Sequence, residues 1–196
     1  MSKIRELLQQ GRHEELWQMC CGFLDLSLEQ FMAIQKQLLL EQIELLKHSE
    51  LGRKVMHGAM PNTIEEFRTQ VPFTTYKDYC PELLEKKEQG LPAKPVRWMH
   101  TSGKSGEYPF KWIPVSERTW EELSPLICAG RILASCRQKG EINIGLNSKL
   151  LYATAPAPYT TGVIASKCEE EFGFKYFPSP REAEQMSFIE RLDKGF

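Results

Sequence analysis

Apolar residues recur at helical spacing over residues 1–57, with an interruption at Gly11. A long helix is predicted from Ser27, because Ser27 followed three residues later by Gln30 forms the capping-box pattern of a helix start. This helix is expected to continue to His48. Its broad apolar face comprises Phe31, Met32, Ile34, Leu38, Leu39, Ile43, Leu45 and Leu46. We expect that face to pack along a core.

Shorter helices are predicted in the following stretch. Gly52 and the segment 58–61, Gly-Ala-Met-Pro, break the helical pattern. The capping-box spacing then recurs twice, which predicts two short helices. The pairs are Thr63 with Glu66, and Thr75 with Asp78. The second of these helices is expected to run through Leu84 and to close in a loop at Gly90.

The pattern changes to alternation near residue 95. Val96, Trp98 and His100 alternate with more polar neighbours, which predicts a strand that runs directly into the turn 101–106. A second strand is predicted after Lys111. Further strands are predicted at Ile142 and Ile144, at 150–152 and at 174–177. Further helices are predicted after Ser116 and from Arg181 to Leu192. Pro125 is expected to kink or split the first of these two helices.

This order of elements indicates an α/β fold. We predict an amino-terminal helical segment over residues 1–60 and a partial sheet-and-helix domain over residues 61–196. The length of 196 residues permits one domain or a domain with a small appendage, since domains commonly run to roughly 100–150 residues.

Composition and charge exclude several classes of partner. The chain has 41% hydrophobic and 26% charged residues, which is typical of a folded soluble protein. Its 25 Lys and Arg residues against 26 Asp and Glu residues give a net charge of −1, so no positive field would attract nucleic acid or an anionic membrane. No uncharged apolar stretch approaches the roughly 20 residues of a membrane-spanning helix. We therefore expect neither nucleic acid nor a membrane as a partner.

The cysteine and histidine residues predict no metal site. The six cysteines include no CxxC pair, and the four histidines are far apart and lack finger-like spacing to cysteine. The first residues are too charged for a secretory signal, so we expect a cytoplasmic protein with reduced thiols. The adjacent pair Cys20 and Cys21 is expected to behave as small buried hydrophobic residues.

The segment 101–111, TSGKSGEYPFK, concentrates the groups that a phosphate-binding turn needs. Its two glycines let backbone N–H groups approach an anion, three hydroxyl groups can donate hydrogen bonds, and Lys104 and Lys111 supply positive charge. A Walker A motif is excluded, because Trp98 stands where that motif needs a glycine. Taken in isolation, a plain surface turn is the commoner interpretation of such a hexapeptide, and that alternative stays open.

The surroundings of this turn resemble a known family. The stretch 67–79, FRTQVPFTTYKDY, is followed by Glu-Gln-Gly at 88–90 and then by the turn and Lys111. This order and spacing resemble the amino-terminal part of the adenylate-forming enzymes, over about residues 60–120. The closest likeness is to the auxin-responsive acyl-amido synthetase family, in which VP-[VL]-[TS]-[TS]-Y-x-D precedes [TS]SGTSGG-E-x-K-x-x-P. Acyl-coenzyme A ligases share a looser version, TSGTTG-x-P-K.

The resemblance implies ATP-dependent activation of a carboxylate as an acyl-adenylate. In that family the turn binds the β- and γ-phosphates of ATP, and Mg²⁺ helps to neutralise them. The residues that match the ATP-binding turn are Thr101, Ser102, Gly103, Ser105 and Gly106. Lys104 stands where the family has a hydroxyl residue, and we include it among the predicted ATP contacts. Lys111 matches the trailing lysine, to which we assign a catalytic role, although the stretch 107–110 is one residue longer than the family spacing.

Two functions from different classes stay open. The first is the amino-terminal part of a carboxylate-activating ligase, with a small-molecule carboxylate and an amine or thiol acceptor as partners. The family's later adenine-binding motif, ribose-binding acid and lysine-bearing domain are not recognisable before Phe196, so we expect this chain alone to be inactive. The alternative is a non-catalytic interaction module, whose open sheet edge is completed by a second copy or by another chain.

Overall fold

The computed structural model of the chain describes residues 2–101, 107–151 and 155–195. Helices make up more than half of the described residues. The α-helices are α1 (Lys3–Gln10), α2 (His13–Cys21), α3 (Leu28–Lys47), α4 (Glu50–Val55), α5 (Ile64–Gln70), α6 (Glu117–Ser135), α7 (Thr160–Phe172), α8 (Pro180–Glu184) and α9 (Phe188–Gly195). The strands are β1 (Pro95–His100), β2 (Trp112–Ser116), β3 (Lys149–Leu151) and β4 (Lys175–Phe177), and 3₁₀ helices cover Gly22–Asp25 and Tyr76–Tyr79. This mixture of helices and short strands confirms the predicted α/β class.

The described chain divides into two compact units. The first unit joins the residues up to Leu24 with those from Arg118 onward, and the second unit is Asp25–Glu117. These limits differ from those of the predicted parts, residues 1–60 and 61–196. The predicted domain division stays a prediction.

The first unit begins with two helices that Gly11 separates. Gly11 adopts a left-handed conformation with φ of 66°, which costs glycine little, and α1 ends there. Its N–H group is directed at the carbonyl groups of Leu7 and Leu8, so the end of the helix is satisfied. The predicted interruption at Gly11 is therefore confirmed.

Large side chains from several helices and strands pack into one core in the first unit. Its fully buried members include Leu7, Leu16, Ile132, Phe172 and Phe174. The rings of Phe172 and Phe174 pack edge to face with their centroids 5.3 Å apart. The parallel strands β3 and β4 pair Leu150 with Tyr176 and contribute both residues to this core.

Buried thiols belong to the same core. They are those of Cys20, Cys21, Cys128 and Cys168. The side chains of Cys20 and Cys128 hydrogen-bond to each other, and this bond together with burial raises the pKa of the Cys128 thiol. A thiol with a raised pKa stays protonated and is a poor nucleophile. Cys20 and Cys21 are 5% and 0% exposed, which confirms the prediction that both are buried.

In the second unit, α4 approaches the end of α3 closely, and Gly52 makes this approach possible. A Cβ atom at position 52 would collide with the carbonyl oxygen of Leu46. The prediction that Gly52 breaks the helical pattern is wrong, because Gly52 lies inside α4, whose start is capped by Ser49. A small buried cluster around α4 comprises Leu51, Val55 and Met56.

The helix α3 begins as predicted, but most of its apolar face is exposed. The N–H of Ser27 donates to Gln30 Oε1 at 2.9 Å, and the N–H of Gln30 donates to Ser27 Oγ at 3.2 Å. This helix, which is described throughout, buries a single residue, Ile43, whereas Phe31 and Leu38 are 40% and 39% exposed. The predicted packing of the whole face along a core is wrong. Periodicity shows which side of a helix is apolar and does not show how far another element covers it.

The helix predicted through Leu84 is shorter than expected. The 3₁₀ helix ends at Tyr79, and turns follow over residues 80–86. Pro81 explains this end, because the residue before a proline is disfavoured in the helical conformation, and Cys80 is extended with ψ of 149°. The predicted extension is therefore wrong.

Ile142 and Ile144 pack against the first core without forming the predicted strand. Both lie in an irregular segment before β3. The β3–β4 ladder starts at Lys149 and Lys175, so residues 142–144 have no partner strand in the described part of the chain. Their apolar alternation indicated burial, but a strand also needs a backbone partner.

Of two predicted helices, one is continuous through its proline and the other is divided into two. The helix α6 is not split at Pro125, because Cys128 beyond it is fully buried and tertiary packing holds the rest of the helix in place. The helix predicted over Arg181–Leu192 is instead divided into α8 and α9. Ser187 and Glu190 provide a second helix start, with the N–H of Ser187 donating to Glu190 Oε2 at 2.6 Å.

Candidate functional site

The strands β1 and β2 form an antiparallel hairpin in the second unit, and the segment 101–111 connects them. The two strands on either side of this segment are the predicted ones. The N–H of Thr101 donates to the carbonyl oxygen of Lys111 at 3.1 Å. The two ends of the predicted phosphate-binding segment therefore lie together.

Two of the predicted site residues lie within the described ranges, and the other five lie outside them. Thr101 and Lys111 are described, and both are half-buried. The predicted ATP contacts Ser102, Gly103, Lys104, Ser105 and Gly106 lie outside the described residues. The roles assigned to these residues and to Thr101 and Lys111 stay predictions.

A second stretch of the chain, VPFTTYKDY at 71–79, reaches this hairpin through Tyr76. The N–H of Trp112 donates to the phenol oxygen of Tyr76 at 2.8 Å. The ring of Tyr76 packs edge to face against Tyr108, with centroids 5.3 Å apart, and Lys111 Nζ lies 5.9 Å from the centroid of the Tyr76 ring. The structure thus brings together the two stretches on which the family resemblance depends.

Reciprocal capping stabilises the 3₁₀ helix that carries Tyr76. The N–H and the hydroxyl of Thr75 donate to Asp78 Oδ2 at 2.6 and 3.0 Å. These bonds hold the pKa of Asp78 below its ordinary value, because they favour the carboxylate. Burial raises the pKa of Tyr76, so its phenol is neutral at physiological pH and can both donate and accept.

An aromatic cluster surrounds His100 at the end of β1. His100 is 4% exposed, and the centroid of its ring lies 4.5 Å from that of Phe110 and 4.7 Å from that of Trp112. Its Nδ1 lies 2.9 Å from the carbonyl oxygen of Thr101. Lys86 Nζ lies 3.3 Å from the centroid of a Trp112 ring, which is a cation–π contact. These contacts hold the aromatic side chains at the base of the segment 101–111.

Sequence reasoning missed Tyr76 and His100 as parts of this site. The sequence did single out the stretch VPFTTYKDY, to which Tyr76 belongs, as part of the family resemblance. No local pattern, however, links Tyr76 to Trp112, which is 36 residues away. His100 was identified as a strand position and nothing more. Both contacts depend on how the chain folds back on itself.

The first unit contains a cleft of about 460 Å³ that is lined by a buried lysine. Lys167 is 2% exposed, forms an ion pair with Glu171 and places its Nζ 4.1 Å from a ring centroid of Trp120. A carboxylate and an aromatic face therefore already balance its charge. We interpret Lys167 as a structural residue of the first unit.

The described residues form no cluster that could bind a metal ion, whether at the hairpin or at the cleft. Within residues 2–101, 107–151 and 155–195, no group of three or more His, Cys, Asp or Glu side chains could hold a metal ion. None of the helices in these ranges is both long and apolar enough to span a bilayer. No described residue is assigned to a metal.

A family model described as the GH3 family N-terminal domain matches residues 20–185 of the chain. The match covers most of the chain and includes the hairpin, the segment 101–111 and the stretch 71–79. A search of curated proteins and a search of solved structures found no match.

Proposed function

Because the chain belongs to the GH3 family, the auxin-responsive acyl-amido synthetase family of the adenylate-forming superfamily, we propose that it is part of an ATP-dependent ligase that activates a carboxylate. ATP and a small carboxylate would form an acyl-adenylate, and the acyl group would then pass to an amine or a thiol. The observation that carries this proposal is the hairpin that joins Thr101 to Lys111 and is held against Tyr76.

The described groups at the ends of the segment fit a phosphate ligand. Thr101 carries a hydroxyl donor and Lys111 carries an ammonium group, and both bind phosphate oxygens well. In our proposal, Lys111 meets the outer phosphates of ATP together with Thr101. The further phosphate contacts would come from Ser102, Gly103, Lys104, Ser105 and Gly106.

The chemistry explains why donors of this kind are needed. As the carboxylate oxygen attacks the α-phosphorus, the bond to pyrophosphate breaks and negative charge grows on the leaving group. Lys111 would stabilise that charge, and donors that are already in position require no reorganisation at that moment. The hairpin supplies positioning and charge, and the reaction requires no nucleophile or general base from it.

Mg²⁺ belongs to the same proposal, where it would neutralise part of the phosphate charge. In proteins Mg²⁺ usually keeps several waters and binds one or two carboxylates together with substrate phosphates. We assign none of the described residues to it.

A non-catalytic interaction module is the second candidate, and the exposed face of α3 favours it. Leu28 is 77% exposed, and the large apolar side chains of Phe31 and Leu38 follow it on the same helix. Contiguous exposed apolar surface often marks a site of protein interaction. A module of this kind has no requirement for ATP, so nucleotide binding separates the two candidates.

Calorimetric titration with ATP and Mg²⁺ tests the ligase proposal. We expect the chain to bind ATP and Lys111→Ala to bind at least about tenfold more weakly, since a charge-assisted hydrogen bond contributes roughly 1.5–3 kcal/mol. Lys94→Ala is the matched control, because Lys94 is an exposed lysine immediately before β1. It should change the affinity by less than about twofold. Equal binding by wild type and Lys111→Ala, or no ATP binding by wild type, would contradict the proposal.

A further inference from the structure

The backbone polar groups of Trp112 face away from β1. In an antiparallel pair, successive residues alternate between exchanging backbone hydrogen bonds with the partner strand and facing outward. Thr101 is bonded to Lys111 through the backbone, and Trp112 is the next residue, opposite His100 in the register. The N–H and C=O groups of Trp112 are therefore directed to the outer edge of the hairpin, where they need another partner.

The phenol of Tyr76 takes the place of a neighbouring strand at this edge. Its oxygen accepts from the N–H of Trp112 at 2.8 Å and lies 3.4 Å from the carbonyl oxygen of the same residue. Because the phenol is neutral, it can accept from the first group and donate to the second. One side chain thus serves both outward backbone groups of Trp112.

The ring of Tyr76 contacts the same arm of the hairpin at two further points. It packs against Tyr108, with centroids 5.3 Å apart, and Lys111 Nζ lies 5.9 Å from its centroid, within the range of a cation–π contact. Tyr76 therefore reaches positions 108, 111 and 112. These positions belong to the arm 108–112, which leads into β2.

We propose that Tyr76 is a positioning residue of the nucleotide site, which holds the arm 108–112 so that Lys111 meets the phosphates of ATP. The inference rests on the proposed function, because it takes Lys111 as a phosphate ligand. Lysine is a point charge on a flexible stem, so its effect on a phosphate depends on how firmly its backbone is held beforehand. Tyr76 acts through Lys111 and need not touch the nucleotide.

The pair Tyr76→Phe and Tyr79→Phe tests this inference in the full chain. Both variants lose one phenol hydroxyl from the same 3₁₀ helix, but the Tyr79 hydroxyl bonds to Thr74 Oγ1 at 2.8 Å, next to its own helix. We expect Tyr76→Phe to bind ATP about three- to tenfold more weakly, in line with one lost hydrogen bond. Tyr79→Phe should stay within about twofold of wild type.

Two further readouts distinguish positioning from general destabilisation. Amide hydrogen exchange should be faster at Trp112 in Tyr76→Phe, by about tenfold, and unchanged there in Tyr79→Phe. The ATP affinity of Tyr76→Phe should also fall less steeply with added salt, because a displaced lysine contributes less screened attraction. A purely structural role would leave that salt dependence unaltered. Tyr108→Leu, which removes the ring contact from the other side, repeats the measurement if Tyr76→Phe fails to fold.

The outcomes separate this inference from the proposed function. If Lys111→Ala weakens ATP binding but Tyr76→Phe does not, the positioning role is overturned and the ligase proposal stands. Unchanged hydrogen exchange at Trp112 in Tyr76→Phe also overturns the positioning role. If wild type binds no ATP, or Lys111→Ala binds as wild type does, the proposed function fails and the nucleotide role of Tyr76 fails with it.

Discussion

The two compact units place their large apolar side chains differently. In the first unit, Leu16, Ile132 and Phe172 are fully buried in one core to which helices and strands both contribute. In the second unit, the buried cluster around α4 is small, and much of the apolar face of α3 is exposed. The candidate nucleotide site lies on the hairpin of the second unit.

The hairpin combines buried side chains with individual hydrogen bonds. Met99, His100 and Val115 are at most 5% exposed. The outer edge of β2 depends on the bond from Trp112 to Tyr76, and the helix that carries Tyr76 is capped by Thr75 and Asp78. We therefore expect the hairpin to respond to the loss of one hydrogen bond, and the first unit to respond chiefly to the loss of apolar volume.

The largest effect is expected from Phe172→Ala in the first unit. Phe172 is 0% exposed and packs against Phe174, so its removal should lower the free energy of unfolding by about 3–5 kcal/mol. Urea unfolding followed by circular dichroism measures this loss. Phe177→Ala is the control, because Phe177 is 52% exposed, and it should lower the free energy of unfolding by less than about 1 kcal/mol. Equal losses would contradict the assignment of a closed core to the first unit.

The next effect is expected within α3, from Ile43→Ala against Leu38→Ala. Ile43 is 2% exposed, so Ile43→Ala should lower the free energy of unfolding by about 2–5 kcal/mol. Leu38→Ala should lower it by less than about 1 kcal/mol, because Leu38 is already partly in water. Urea unfolding again provides the measurement. If the two losses are equal, another surface covers this face in solution, and sedimentation at increasing concentration would show whether a second copy does so.

Only those features of the two units that involve neighbouring residues could be predicted from the sequence. The capping box of Ser27 with Gln30 and the interruption at Gly11 involve neighbouring residues, and both are confirmed. The prediction at Gly52 is wrong, since glycine breaks helices in general but permits a close helix approach in this place. The exposure of α3 could not be predicted from the sequence, because it depends on elements that are distant in the chain.

The candidate site shows the same division between local and distant information. The two strands of the hairpin were predictable, because the alternation before His100 and the apolar residues after Lys111 are local patterns. The resemblance to a family supplied the roles proposed for Thr101 and Lys111. The contact from Tyr76 to Trp112 was not predictable, because a phenol that replaces a neighbouring strand leaves no periodic signal in the sequence.

The smallest effect is expected at the surface of the first unit, where Glu182 caps α8. Lys194 Nζ donates to Glu182 Oε1 at 2.6 Å, and the N–H of Ser179 donates to Oε2 at 2.9 Å. The bond from Lys194, followed by that from Ser179, lowers the pKa of Glu182 to about 2. In the unfolded chain this pKa is about 4.3. The stabilisation is therefore fully present above about pH 5 and is lost as the pH falls through about 2.

Replacing the carboxylate by an amide isolates this charge from the shape of the side chain. Glu182→Gln should lower Tm slightly at about pH 7, and its difference from wild type should shrink as the pH falls from about 5 to about 2, where the wild-type carboxylate gains a proton. Glu184→Gln removes the same charge two positions along α8 and serves as the control. A difference in Tm that stayed constant over this range would mean that Glu182 acts through its hydrogen-bonding shape. The small size expected for this change, beside that of Phe172→Ala, is itself a measure of how far the first unit depends on its core.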